Sequence, residues 1–296
     1  MHWGIDLGGT KIEGVVLNDL HMVLARERVP TERELGMAHI ISQIQKVLDI
    51  LSEEVGEKPT SLGIGTPGTI DPQTGLLKNS NTQAINNQPF LQELEKALKF
   101  PVKIANDANC FALAETQMGA VAEYYPEANV VFGVIMGTGT GGGIILNGKV
   151  HNGRQGIGGE WGHTFLDTSG GPCYCGDIGC TERIIAGPSL ERYYQEQTGQ
   201  KRLLKDIYAD YKESSDPIAI QTIERLIHFF GIALSNVINI LDPDVIVLGG
   251  GVSNLDVLYT KGVESVKRHV FNPTFDTPII PPLLGDSAGV FGAALL

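Results

Sequence analysis

Three glycine-rich runs, each placed directly after a short apolar stretch, constrain this chain more than any other feature. They are Asp6-Leu7-Gly8-Gly9-Thr10-Lys11, Gly137-Thr138-Gly139-Thr140-Gly141-Gly142-Gly143 and Leu248-Gly249-Gly250-Gly251. Glycine permits turns at positive φ and lets peptide N–H groups approach a phosphate with no Cβ in the way. The chain has 37 glycines in 296 residues, about one position in eight, against roughly 7% in an average protein. Both the P-loop pattern G-x-x-x-x-G-K-[ST] and the Rossmann fingerprint are absent. Any one run reads equally well as a plain strand-to-strand turn; three at strand ends in one chain point to a nucleotide. Asp6 adds a carboxylate where the magnesium of a nucleotide would sit, since Mg2+ commonly takes one or two carboxylates with waters and phosphate oxygens.

The segments between these runs alternate in a regular way. Three short strands are expected first, one ending at Ile5, then 12–17 and 22–29, with glycine and Asn18-Asp19 turns between them. Apolar residues at three- and four-residue steps from Met37 to Val55 predict a helix. A strand over 61–66, a helix over 90–98, a strand over 102–105 and a helix entering at Asp107-Ala108 follow. The second half starts alike: a strand over 130–136, a glycine turn over 137–143, a strand over 143–146 and a hairpin turn at Asn147-Gly148. A long helix over 216–241, stopped by Asp242-Pro243, leads into a buried strand over 244–248. The repeated order predicts two similar α/β lobes with a cleft between them. The first is expected to span 1–119 plus a last helix at 287–296, and the second 120–286.

Composition narrows the partners. With 42% hydrophobic and 19% charged residues the chain is globular, and its net charge of −12 disfavours non-specific binding to nucleic acid or anionic membranes. The first 17 residues carry Asp6, Lys11 and Glu13, so no signal-peptide core is expected there. No uninterrupted apolar run approaches the roughly 20 residues that span a bilayer. Three of the four cysteines fall within eight residues, unlike the scattered pattern of a secreted disulfide framework, and a cytoplasmic protein is expected. Cys173-x-Cys175-x4-Cys180, with His163 ten residues upstream, offers three thiolates and one imidazole, a set that suits structural zinc. Free thiols or a local disulfide are the alternatives; an iron–sulfur cluster usually takes four cysteines. Such a metal would organise the glycine-rich stretch 169–181. It would also fix the other ring nitrogen of His163 as an N–H donor, aimed at a substrate hydroxyl. Cys110 stands apart and reads as a small core residue. Asn106-Asp107 stands at a strand end where a helix begins. Asp107 there is either a helix N-cap or the carboxylate that takes a hydroxyl proton during phosphoryl transfer.

These residues carry a resemblance. The three glycine runs look like the first phosphate, second phosphate and adenosine loops of the actin-like ATPase and hexokinase superfamily. Glu160-Trp161-Gly162-His163, followed by Cys173-Tyr174-Cys175-Gly176-Asp177-Ile178-Gly179-Cys180-Thr181-Glu182, is similar to the signature of the ROK (repressor, open reading frame, kinase) family. Gly158 departs from it, standing where the family usually has alanine. The resemblance implies an α/β, actin-like (ribonuclease H-like) fold of two duplicated lobes, and an ATP-dependent kinase acting on the C6 hydroxyl of a free hexose. It implies Asp107 as catalytic base, with Gly68, Asn81, Asn106, Asp107, Glu160, His163 and Glu182 binding the sugar. ATP would be held by Asp6, Gly8, Gly9, Thr10, Lys11, Gly137, Thr138, Gly139, Gly249, Gly250 and Gly251. Asp6 would hold Mg2+, through water, and His163, Cys173, Cys175 and Cys180 would hold zinc. A homodimer is a further family expectation. Lys78-Asn79-Ser80-Asn81-Thr82 and Gln88-Pro89-Phe90 look most like the bacterial fructokinases and mannofructokinases of this family, with glucokinase and N-acetylglucosamine kinase as alternatives. A sugar-responsive repressor would need a helix-turn-helix ahead of Asp6, and an actin-type filament or chaperone ATPase would not need the cysteine motif.

Overall fold

The computed structural model describes residues 1–296. Tight turns fold β1 (His2–Leu7) back on β2 (Lys11–Leu17), and β2 on β3 (Val23–Pro30), both antiparallel. The periodic stretch forms α1 (Met37–Val55), which buries Ile40, Ile44, Val47, Leu48 and Leu51. β4 (Leu62–Thr66), a small hairpin of β5 (Thr69–Ile70) and β6 (Leu77–Lys78), α2 (Phe90–Leu98) and β7 (Val102–Asn106) follow. β4 pairs parallel with β1 and β7 with β4, giving the sheet order β3-β2-β1-β4-β7. Chain direction then passes through α3 (Asp107–Gln117) and α4 (Ala120–Tyr124).

The second half repeats this plan with β8 (Val130–Met136), β9 (Thr140–Leu146) and β10 (Lys149–Val150). The helices α5 (Glu182–Ile185), α6 (Gly187–Thr198), α7 (Leu204–Glu213) and α8 (Pro217–Leu241) come next. β11 (Val245–Gly249), α9 (Lys261–His269), β12 (Ile279–Ile280) and α10 (Ala288–Ala294) complete the chain. The second sheet runs β10-β9-β8-β11-β12, the order of the first sheet over again, with β8, β11 and β12 parallel. The duplication expected from element order is therefore present in the topology. α8 is long and apolar enough by length and composition to cross a membrane, but 61% of its apolar window is buried inside the protein, as in a core helix.

Two compact units emerge: Met1–Pro126 with Gly143–Gly158 and Leu283–Leu296, and Glu127–Gly142 with Gly159–Pro282. This differs from the expected division at 119/120 and 286/287. The reason is packing across long sequence distances. A Cβ on Gly143 would meet the Ala108 carbonyl at 2.5 Å, so the part of β9 from Gly143 onward lies against α3 in the first unit. Gln117 Nε2 donates to the Gly148 carbonyl at 3.0 Å. The fully buried Glu115 carboxylate accepts N–H bonds from Ala120 (2.8 Å), Leu283 (3.1 Å) and Leu284 (2.9 Å), fixing both α4 and the 283–284 segment to α3. The glycine turn expected over 137–143 is also shorter than its glycines suggest, because Thr140 to Gly143 are already strand.

α10 seats its backbone directly on the first sheet and on α3. Gly292 has no room for any side chain: a Cβ there would lie 1.7 Å from the Cys110 carbonyl oxygen, and one on Gly63 would lie 1.8 Å from that of Ala293. Cys110 itself is fully buried, as expected of a core residue. Gly292→Ala must push two backbones apart, and overpacking of this kind costs about 1–3 kcal/mol or more. Urea unfolding is expected to show a loss at the upper end of that range. A loss under about 0.5 kcal/mol would mean that the helix can shift freely.

Candidate functional site

In open α/β sheets ligands sit outside the carboxyl ends of the parallel strands, because loops there are free to vary while the strands stay rigid. In the first unit the carboxyl ends of β1, β4 and β7 deliver the glycine loop at Gly8, then Gly68, then Asn106-Asp107. Cross-strand register places Arg28, Glu13, Asp6, Gly65 and Ala105 in one row across the sheet. Buried Glu13 is paired with Arg28 at 2.8 Å and with Arg26, and Lys11 Nζ lies 4.0 Å from it. Burial, followed by the charges of Asp107 and Glu13, pushes the Asp6 carboxyl up to about 6. Burial is the larger cause and the neighbouring carboxylates add to it; a divalent cation there would favour the charged form, so the donor set suits Mg2+.

The glycine loop is held from outside. Thr31 Oγ1 donates to the Gly8 carbonyl at 2.7 Å, its N–H donates to the Thr10 carbonyl at 3.0 Å, and Gly8 N–H donates to the Lys11 carbonyl at 3.0 Å. Arg33 Nη1 would lie 3.0 Å from a Cβ placed on Gly9, so its guanidinium is beside the loop. Neither Thr31 nor Arg33 carried a signal in the sequence, since both act across a strand rather than within a motif.

Of the two residues at the end of β7, Asn106 is the helix cap. Its Oδ1 accepts the Ala108 N–H at 2.7 Å, and α3 begins with Asp107. Asp107 Oδ1 also lies 2.8 Å from that N–H. The cap uses the Asn106 oxygen, and the amide nitrogen takes no part in it. Gly68 follows β4, whose Thr66 pairs in register with Asn106, and a Cβ on Gly68 would lie 2.6 Å from the Lys78 carbonyl. Gly68 also packs against Ser80, which brings it beside the loop of exposed Asn81.

In the second unit, β8 and β11 are parallel in register from Val131–Val245 to Ile135–Gly249, so their glycine turns emerge at the same end. Gly250 adopts φ +82°, and a Cβ there would meet the Met136 carbonyl at 2.4 Å; no other residue fits. Glu182 does not cap α5, which begins at that residue. Its Oε2 instead accepts the Thr140 N–H at 3.0 Å and lies 2.4 Å from where a Cβ on Gly139 would be. Glu182 is thereby tied to the second glycine run. Glu160 lies close enough to His163 and Glu182 for both charges to act on it. Desolvation raises its carboxyl, Glu182 adds to the rise, and His163 opposes it.

His163, Cys173, Cys175 and Cys180 offer ligand atoms all within 4.8 Å of one another. Cys175 and Cys180 sulfurs are 3.5 Å apart and Cys173 Sγ is 3.7 Å from His163 Nδ1. A disulfide would need about 2.05 Å. A tetrahedron with Zn–S bonds of about 2.3 Å has edges of about 3.8 Å, which these spacings approach. Thr164 and Thr181 close the loop, with Thr181 N–H donating to the Thr164 carbonyl at 2.9 Å. The second ring nitrogen of His163 has a neighbour of its own: Nε2 is 2.9 Å from Tyr174 Oη.

Comparison with known proteins agrees with this geometry. A model of the ROK family matches residues 2–296. An N-acetyl-D-glucosamine kinase of Haemophilus influenzae (strain 86-028NP) is 36% identical over 307 residues, covering 100% of this chain and 99% of that protein. A ROK hexokinase from Thermus thermophilus superposes with a TM-score of 0.89 at 33% identity, covering 99% of this chain and 96% of that one. A ROK family glucokinase from Streptomyces griseus, in complex with glucose and AMPPNP, superposes with a TM-score of 0.78 at 26% identity, over 99% and 97% of the two chains. Matched along essentially its whole length, the chain belongs to the ROK family and has that family's actin-like ATPase fold.

Proposed function

We propose that this protein transfers the γ-phosphoryl group of ATP to the C6 hydroxyl of a free hexose, with N-acetyl-D-glucosamine as the preferred acceptor. The observation that carries the reaction is the placement of Asn106-Asp107 at the carboxyl end of β7, with Asp6 near enough for the two charges to interact. Asp107 accepts the hydroxyl proton as the new O–P bond forms and the bond from the γ-phosphorus to the β-phosphate bridge oxygen breaks, releasing ADP. Backbone amides of Gly8, Gly9, Thr10 and Lys11, and of Gly137, Thr138 and Gly139, hold the phosphates, and Gly249, Gly250 and Gly251 border the adenosine. Asp6 would hold Mg2+, which neutralises charge on the phosphates. The Asn106 amide, Gly68, Asn81, Glu160, His163 and Glu182 take the sugar hydroxyls; the carboxylates do so through charge-assisted hydrogen bonds. Zinc on His163, Cys173, Cys175 and Cys180 belongs to the same reading, as a structural ion that orients His163.

The choice of acceptor rests on the relatives. Several of those most similar to this chain are N-acetyl-D-glucosamine kinases at 34–36% identity, and none of these carries a fructokinase name. The fructokinase reading of the 78–82 string gives way to its alternative, because single hydroxyl or amide contacts separate these sugars and a short loop string does not encode them. A coupled assay with ATP across N-acetyl-D-glucosamine, N-acetyl-D-mannosamine, glucose, mannose and fructose decides it. The expected kcat/KM for N-acetyl-D-glucosamine exceeds that for fructose by at least about tenfold, the effect of one well-placed polar contact. Fructose in first place would overturn the acceptor; no turnover on any hexose would overturn the reaction.

A further inference from the structure

His163 has two ring nitrogens, and each has a neighbour. Nδ1 faces the sulfur cluster, 3.7 Å from Cys173 Sγ, while Nε2 lies 2.9 Å from Tyr174 Oη. The two rings meet edge to face, with centroids 5.1 Å apart at 88°. Tyr174 stands between Cys173 and Cys175, and its backbone is pinned by a local turn. Cys173 N–H donates to the Asp177 carbonyl at 2.8 Å, and Gly176 N–H donates to the Cys173 carbonyl at 3.1 Å. The side chain, in contrast, is 82% exposed, so its ring leans on little besides the imidazole.

Tyr174 therefore places a hydroxyl against His163 Nε2, which is the chemical group that a sugar would present there. One N–H makes one well-aligned hydrogen bond, so phenol and sugar cannot both use His163 Nε2.

We propose that Tyr174 is a specificity-determining residue of the sugar site, whose hydroxyl holds His163 Nε2 and must be displaced from it by a sugar hydroxyl. This rests on the hexose-kinase reading above. A pinned backbone with a solvent-exposed side chain makes the displacement a rotation about the side-chain bonds, with no loop movement. The competition discriminates, because a sugar without a well-placed hydroxyl gains too little at Nε2 to replace the phenol.

The test compares the wild type with Tyr174→Phe, which keeps the ring and removes the competitor. Isothermal calorimetry with N-acetyl-D-glucosamine and no nucleotide is expected to give a Kd about three- to tenfold lower for the variant, the worth of one neutral hydrogen bond. Ultraviolet difference spectroscopy reads the event directly. Adding the sugar to the wild type should produce a tyrosine difference spectrum that Tyr174→Phe lacks. An equal or higher Kd in the variant, or a wild type with no tyrosine difference spectrum on saturation, would overturn the proposal. A wild type that binds no hexose at all would instead overturn the kinase reading, so the two failures are distinct.

Discussion

Asp107→Asn is expected to lower kcat by at least about 10²-fold, within the 10²–10⁴-fold range of general-base catalysis, while Kd for N-acetyl-D-glucosamine stays within about threefold. The two effects separate because asparagine keeps an Oδ1 that can accept the Ala108 N–H as the Asp107 carboxylate does. Asn106 Oδ1 caps α3 through the Ala108 N–H, so the helix start survives the change. An amide of the same shape still holds a hydroxyl but cannot take its proton. Interaction with the substrate in the ground state is thus retained, and the loss appears in kcat. A variant retaining more than about a tenth of wild-type kcat would move the base to another residue. Loss of binding in step with kcat would make Asp107 a sugar ligand rather than the base.

Cys175→Ala is expected to abolish stoichiometric zinc, lower the melting temperature by at least about 5 °C, and weaken N-acetyl-D-glucosamine binding more than tenfold. Cys175 is the informative ligand because it is exposed, whereas Cys173 and Cys180 are buried. Truncating it leaves no core cavity, so any destabilisation reports the metal. In zinc-finger peptides a structural zinc contributes roughly 10–16 kcal/mol; even a small share of that corresponds to several degrees, at about 2–4 °C per kcal/mol for a domain of this size. The binding loss follows from His163. Without the metal its Nδ1 loses its anchor, and the ring that Nε2 presents to the sugar is free to turn. A strong chelator added to the wild type should give the same three changes. Metal analysis finding no zinc in the wild type, with melting indifferent to chelator, would reduce the cluster to free thiols.

Much of the fold and the candidate site was legible because it is local. α1 and α2 span the periodic stretches Met37–Val55 and Phe90–Leu98, since an amphipathic helix is specified by its own apolar spacing. The strands before each glycine run are likewise short apolar segments ended by a residue that permits a turn. The cysteine motif with His163 was legible for the same reason: ligand type and spacing are chemical facts of the chain.

What the chain alone left open depends on contacts between distant residues. α6 and α7 bury only three residues each, and it is their packing on α8 that holds them in place. Thr140 to Gly143 look like loop by composition yet form strand, because the absent side chains let Trp161 and α3 press against the backbone. Asn106 and Asp107 compete for one cap, and only the seating of α3 on β7 assigns it. Glu115 and Thr31 lie in no motif, and Tyr174 is a position of the cysteine motif with no role assigned from the sequence; their roles arise when Leu283, Gly8 and His163 are brought to them. Residue type and spacing therefore determined which elements and which chemistry this chain has. Tertiary packing alone decided which polar atoms are already in use and which remain for a ligand, because a hydrogen bond is satisfied in space and not along the sequence.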